Sequence, residues 1–221
     1  MLEYNEIKFQ WLGHDGFRIL DSNKKSIIYI DPYQLGTDYN NRKDANLILI
    51  SHDHFDHLSL KDIKNLINDN TKIVAPKECE EKFKQENIKN LKFVKPNDMI
   101  NISGIDIEIT PAYNINKSFH PKKDEKIGFI LTINNTRIYH SGDTDAIPEM
   151  ENFHPDIILI PVSGTYVMDA VEAANVTNEV LKPTKYAIPM HYGSIVGSED
   201  DALKFKELVT ICEVVIMQKG S

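Results

Sequence analysis

Asn46-Leu47-Ile48-Leu49-Ile50-Ser51-His52-Asp53-His54-Phe55-Asp56-His57-Leu58-Ser59 is the stretch on which the reading of this chain turns. Leu47 to Ile50 form an apolar block of strand length, too short for a buried helix. Ser59 followed by Asp62 has the form of a capping box, and Leu60, Ile63, Leu66 and Ile67 recur at helical spacing, which predicts a helix from Ser59 to about Asn68. Between strand and helix, four potential metal ligands, His52, His54, Asp56 and His57, fall within six residues. In extended backbone, residues two apart point the same way, so His52 and His54 can reach one ion. The turn that follows lets Asp56 and His57 approach a second one beside it. A water-facing polar loop would account for any one of these histidines, but not for the set.

The same strand-turn-helix alternation extends on both sides. Upstream, Ile7–Trp11, Phe17–Leu20 and Ser26–Ile30 read as three strands of an antiparallel meander. Downstream, strand Lys72–Ala75, helix Pro76–Glu86 and strand Leu91–Val94 continue an α/β pattern. The middle returns to strands at Ile105–Thr110, Gly128–Ile133 and Thr136–Tyr139, the last two joined by an Asn134-Asn135 turn. Strand Asp156–Pro161, helix Asp169–Leu181, strand Lys185–Pro189, helix Glu199–Leu208 and strand Glu213–Met217 close the chain. A β-rich segment followed by an α/β segment thus occurs twice. With no fixed-period repeat and no linker-like change in composition, a single domain over residues 1–221 is expected, its two halves sharing one core.

Two later residues stand where open α/β sheets gather ligands, at the ends of apolar strands: Asp143 after Arg137-Ile138-Tyr139 and His191 after Tyr186-Ala187-Ile188-Pro189. The whole set resembles the metallo-β-lactamase superfamily, whose signature His-x-His-x-Asp-His is matched by His52, His54, Asp56 and His57. In that resemblance Gly142-Asp143 looks like the glycine-aspartate that bridges two metals, and His191 like the final histidine. The likeness runs from Trp11-Leu12-Gly13-His14 through Ile30-Asp31-Pro32 to the last strand and implies a four-layer αββα sandwich. It also implies a third histidine for the first metal, normally in a Thr-Pro-Gly-His-like segment. Here Thr110-Pro111-Ala112-Tyr113-Asn114 has none, and His120, six residues after Asn114, is the candidate replacement. His14 and Asn114 are further candidates for contacts to ligands or substrate, and Asp31 for orienting a ligand histidine through its second ring proton. His140 is expected in a supporting or packing role and His154 at the surface.

A dinuclear site of imidazole and carboxylate ionises a bridging water and polarises a substrate oxygen, so hydrolysis by a metal-bridging hydroxide is the expected reaction class, with Asp56 orienting the nucleophile. Zinc or manganese suits an all-nitrogen-and-oxygen site, and iron is compatible with it. The likeness is closest to the compact branch that contains L-ascorbate-6-phosphate lactonase, which implies a small ester, lactone or phosphodiester substrate. The alternatives are a non-catalytic metal-binding or regulatory protein on the same fold, or a nuclease of the superfamily.

Composition narrows the partners. Twenty-five Lys and Arg against 33 Asp and Glu leave a net charge of −8 across 221 residues, and no basic block is present, which argues against nucleic acid. No apolar run approaches the ~18 residues of a membrane span, and the first residues show neither a basic start nor an apolar stretch, so a cytoplasmic protein acting on a small molecule is expected. Two cysteines, Cys79 and Cys212, are too few for a disulfide framework. The oligomeric state, homo-oligomer included, is left open.

Overall fold

Four strands of the first half pair as a meander because each apolar run is followed by a tight polar turn that returns the chain beside itself. The computed structural model describes residues 1–220 and divides into two compact units, Met1–Val94 with Gln218 onward, and Lys95–Met217. In the first unit, β1 (Leu2–Tyr4), β2 (Ile7–Gly13), β3 (Gly16–Asp21) and β4 (Ser26–Ile30) run antiparallel. From β4 the sheet continues in parallel through β5 (Leu47–Leu49), β6 (Lys72–Pro76) and β7 (Leu91–Val94). The strands lie in the sheet in the order in which they occur in the chain. Parallel neighbours need crossovers, and α1 (Leu60–Leu66) and α2 (Glu80–Gln85) provide two of them.

One face of this sheet builds a core with those helices: Tyr29, Ile48, Ile50, Ile73 and Ala75 lie in one cluster with Ile63 and Leu66 of α1, and with Cys79 and Phe83 at α2. Burial pushes the Cys79 thiol well above its usual range, so it serves as a small apolar side chain. Ser59 caps α1 by accepting from the Asp62 N–H, as its sequence form predicts. The Asp62 carboxylate also accepts from the N–H groups of Gln34 (3.0 Å) and Leu35 (3.3 Å), which fixes the loop after β4.

The second unit repeats the plan. β8 (Met99–Ile102), β9 (Ile105–Pro111), β10 (Ile127–Ile133) and β11 (Thr136–His140) are antiparallel neighbours. β12 (Ile157–Pro161), β13 (Tyr186–Met190) and β14 (Glu213–Val214) then add in parallel. α3 (Ala170–Val176) and α4 (Glu199–Leu208) pack against one another and against β12 and β13, burying Ala173, Ala174, Ala202 and Phe205. Gly128 is required where β10 enters: a Cβ there would lie 2.6 Å from the Ser141 carbonyl, 2.7 Å from that of His140 and 2.7 Å from Thr110 Oγ1.

The structure differs from the expected elements at their ends and in two additional short strands. The short strands β1 and β8 were not anticipated. The helix expected over Asp169–Leu181 is α-helical only to Val176, and Thr177–Leu181 widens into a π-turn. There the Thr177 hydroxyl donates to the Ala173 carbonyl at 2.7 Å, a back-bond of the kind that bends helices. Residues Lys77–Cys79 form a 3-10 turn ahead of α2, and the last strand keeps only Glu213–Val214. None of the helices among the described residues is long and apolar enough to cross a membrane.

Candidate functional site

Each unit presents its candidate donors where strands end. In the first, β5 delivers Ser51 and His52 to the turn. His54 closes that turn with its carbonyl, which accepts from the N–H groups of His57 (3.1 Å) and Leu58 (2.8 Å). A hydrogen-bond chain fixes how the rings are protonated. Ser51 N–H and Oγ–H both donate to the buried Asp31 carboxylate, at 2.8 and 2.5 Å. His57 Nδ1 lies 2.9 Å from Asp31 Oδ2, and a carboxylate can only accept, so Nδ1 carries the proton and Nε2 is left to coordinate. With its own proton on Asp31, Ser51 Oγ accepts from His52 Nδ1 at 2.9 Å, which likewise leaves His52 Nε2 as a donor atom. His52 Nε2 is 3.0 Å from His54 Nδ1.

Asp31 therefore orients one candidate ligand directly and a second through Ser51. It does so from a left-handed backbone (φ 42°), a conformation that costs a non-glycine residue about 1 kcal/mol and that clusters at functional sites. His14 has the same conformation (φ 52°), and its carbonyl is held by the Trp11 indole N–H at 2.8 Å. His14 Nε2 lies 3.0 Å from Asp56 Oδ2, a separation that suits either a hydrogen bond positioning the signature carboxylate or a shared cation. Asp15, fully buried, brings Oδ2 to 3.8 Å from His57 Nδ1.

In the second unit, Asp143 follows β11, His191 follows β13 in a left-handed conformation (φ 58°), and His120 stands in the loop between β9 and β10. Asp143 Oδ2 is 3.2 Å from His120 Nε2 and 3.3 Å from His191 Nε2, and all three residues are buried. The Asn114 amide sets the protonation of His120. Its NH₂ donates to Asp145 Oδ1 (3.1 Å) and to the Tyr166 carbonyl (2.9 Å), and its Oδ1 accepts the His120 backbone N–H at 2.9 Å. That orientation of the amide leaves an acceptor 3.2 Å from His120 Nδ1, which must carry the proton. His191 Nδ1 is similarly occupied by Ser163 Oγ at 2.9 Å.

This donor set fits a divalent cation. Two ligand atoms about 2.05 Å from a tetrahedral ion lie about 3.3 Å apart, close to both separations around Asp143 Oδ2 and slightly above the 3.0 Å between His52 and His54. A hydrogen-bonded alternative would need both Nε2 atoms of the second unit to donate, which would make His120, already protonated at Nδ1, a buried imidazolium beside the carboxylate. A cation takes neutral rings, with the outer nitrogens held as they are here.

A family model described as a β-lactamase superfamily domain matches residues 8–191, a span that contains every one of these donors. The chain belongs to the metallo-β-lactamase superfamily. This superfamily member is 33% identical to a UPF0173 metal-dependent hydrolase of Pyrococcus horikoshii, with 97% of each chain covered. It is 32% identical to one of Sulfurisphaera tokodaii, with 85% of each covered. Among solved structures, a candidate metal-dependent hydrolase from Parabacteroides distasonis is 29% identical, with a TM-score of 0.80 over 96% of this chain and 94% of that one. A metallo hydrolase from Ignicoccus hospitalis, 23% identical with a TM-score of 0.79 over 97% and 96%, shares the fold. The expected fold class, α/β of the metallo-β-lactamase type, is thereby shown.

Within this superfamily member, His52, His54, Asp56 and His57 are gathered in the first unit with His14 and Asp31, and His120, Asp143 and His191 in the second with Asn114. His140 is buried and its Nδ1 accepts the Gly142 N–H at 3.2 Å, while His154 is exposed in a loop. Sequence reasoning missed Ser51, Ser163, Asp15 and Asp145. The first two follow apolar strands directly, which is the signal that could have flagged them.

Proposed function

We propose that the chain is a hydrolase that depends on two divalent cations, zinc or manganese with iron also compatible. In the first unit His52, His54, Asp56 and His57 would serve as ligands, and in the second His120, Asp143 and His191. The observation that carries this reading is Asp143 Oδ2, set between two imidazole Nε2 atoms at 3.2 and 3.3 Å whose Nδ1 atoms are already engaged. It is supported by the relatives named as metal-dependent hydrolases over nearly the whole chain. When bound, the ions supply a nucleophilic hydroxide near neutral pH and polarise the carbonyl or phosphoryl oxygen of a small ester, lactone or phosphodiester.

The protein's own groups do the rest. Asp31 and Ser51 hold His57 and His52 in the tautomers that coordinate, Asn114 does so for His120, and Ser163 occupies the second nitrogen of His191. The Asp56 carboxylate, 3.0 Å from His14 Nε2, orients the attacking water. No side-chain nucleophile is needed. The acidic balance and ion-paired lysines fit a small-molecule substrate in the cytoplasm better than a nucleic acid.

Metal analysis of the chain reconstituted separately with zinc, manganese and iron tests the proposal. About two ions per chain are expected, and a single ion under every condition would defeat the dinuclear reading. Hydrolysis of aryl esters, lactones or phosphodiesters by the loaded chain separates an enzyme from a non-catalytic metal binder on the same fold.

A further inference from the structure

Large apolar side chains left in water are ordinary when scattered, yet here several sit beside candidate ligands. Phe55, 66% exposed, stands between His54 and Asp56, and Phe119, 47% exposed, precedes His120. Ile115, 53% exposed, follows Asn114. In the first unit the Tyr33 ring meets Phe55 edge-on at 5.9 Å and lies 6.3 Å from the ring of His14. The Asp62 carboxylate fixes the adjoining backbone of Gln34 and Leu35. In the second unit Phe119 meets Tyr166 edge-on at 4.6 Å, and the Tyr166 carbonyl accepts from the Asn114 amide that orients His120. Each unit therefore carries an aromatic pair tied to the groups around its donors.

Several lysines of these loops are held in ion pairs. Lys117 Nζ is 2.7 Å from Asp145 and 3.8 Å from Glu172, and Lys122 Nζ is 2.7 Å from Glu149. In the first unit Lys82 pairs with Asp53 at 3.1 Å and Lys77 with Glu80 at 2.5 Å. At these lysines a doubly charged phosphate group would have to displace a carboxylate. An aryl or alkyl group would instead cover exposed ring surface already held in place, at little cost in side-chain ordering.

We propose that Phe55 with Tyr33 determines specificity by taking an uncharged apolar group, aryl or alkyl, attached beside the scissile bond of the substrate. A sugar phosphate is then a poor substrate and an aryl or alkyl ester or lactone a good one. This rests on the metal-dependent reading above.

The test uses the metal-loaded full chain and two chelating probes, acetohydroxamate and benzohydroxamate, titrated calorimetrically alongside metal analysis. Benzohydroxamate should bind at least about tenfold more tightly, since a fraction of one ring's burial supplies that ratio. The ratio should fall to within about twofold in Phe55→Ala and be largely kept in Phe55→Leu, with metal content equal to that of the native chain in both. Equal affinity for both probes in the native chain, or a ratio unmoved by Phe55→Ala, overturns the proposal while leaving the metal reading intact. A native chain that holds no metal defeats the metal reading first and this inference with it.

Discussion

The first unit keeps its donors in one short stretch after β5, beside His14 and Asp31, whereas the second spreads three donors over three separate loops. The sheets beneath them have the same plan, four antiparallel strands followed by three parallel ones in chain order. Equivalent positions are used in both. The β2–β3 turn carries His14 and Asp15 where the β9–β10 loop carries His120, β4 ends at Asp31 where β11 leads to Asp143, and β5 leads to Ser51 where β12 leads to Ser163. What differs is the chemistry assigned to each end. In the first unit the strand-end carboxylate Asp31 is spent on holding ligands, and in the second the corresponding Asp143 has an oxygen between two donor rings. The strand ends thus fix where polar groups gather, and local hydrogen bonding decides which of them remains free to coordinate.

The sharpest way to break this comparison is to remove the two aspartates in turn. If Asp143 is shared by two cations, as the superfamily resemblance implies, Asp143→Ala should strip metal from the chain and lower turnover by at least about 10³-fold, because such a group contributes to both ions and several kcal/mol of stabilisation depend on them. Asp31→Asn should leave metal bound but more weakly, by roughly 10- to 100-fold, the usual cost of removing an outer partner. Competition with a chromogenic chelator reads both. An Asp143 variant that retains full metal content would reverse the roles assigned to the two carboxylates.

A finer version compares the two serines. Ser51 relays Asp31 to His52 and lies 3.4 Å from His57 Nδ1, while Ser163 touches only His191 among the candidate ligands. Ser51→Ala should therefore weaken metal binding more than Ser163→Ala, with the Ser163 change near the lower end of that 10- to 100-fold range. Equal losses would show that the relay through Ser51 is not used.

These contrasts also explain what the residues alone could reveal. His52, His54, Asp56 and His57 are legible because a solvated loop has no reason to place four donors in six residues between a buried strand and a capped helix. Asp143 and His191 are legible because each ends an apolar strand. His120 has no such frame: it lies in the irregular loop between β9 and β10, and its placement depends on Asn114 gripping both its backbone N–H and its ring. Asp145, which accepts from Asn114, Lys117 and the Ile115 N–H, looks in sequence like one more turn aspartate. Most strands were legible from their apolar runs. The ends of α3 were not, because the switch at Thr177 follows from a side-chain hydroxyl competing for a backbone carbonyl, which periodicity does not register.

Stability gives the comparison its third test. Gly128→Ala places a methyl group within 2.7 Å of two carbonyl oxygens where β10 lies between β9 and β11, and the backbone must shift to admit it. Overpacking of this kind costs about 1–3 kcal/mol. A fall in Tm of several degrees accompanied by weaker metal binding is expected, since the same strands carry the loops of His120 and Asp143. A fall in Tm with unchanged metal affinity would show that the strand ends adjust independently of the sheet.

The smallest effect belongs to the first unit alone. The Asp44 carboxylate accepts from the Tyr29 hydroxyl at 2.8 Å, Arg42 Nε at 2.8 Å and Arg18 Nη2 at 3.3 Å. Burial pushes its pKa up, but the Arg42 and Tyr29 hydrogen bonds and the nearby guanidinium charges more than offset this and hold it below the ordinary carboxylate value of 3.8. A carboxylate depressed in the folded state contributes stability in full above its unfolded pKa and loses it as pH falls through the folded one. Asp44→Asn should therefore lower stability by about 1–2 kcal/mol at pH 7, the usual worth of hydrogen bonds to a charged group. The gap between the native chain and the variant should narrow only below about pH 4. Chemical denaturation at pH 7, 5 and 3.5 measures it. A gap already closing between pH 7 and 5 would mean that Asp44 is not held ionised by its arginines and that some other group sets the acid response of this sheet.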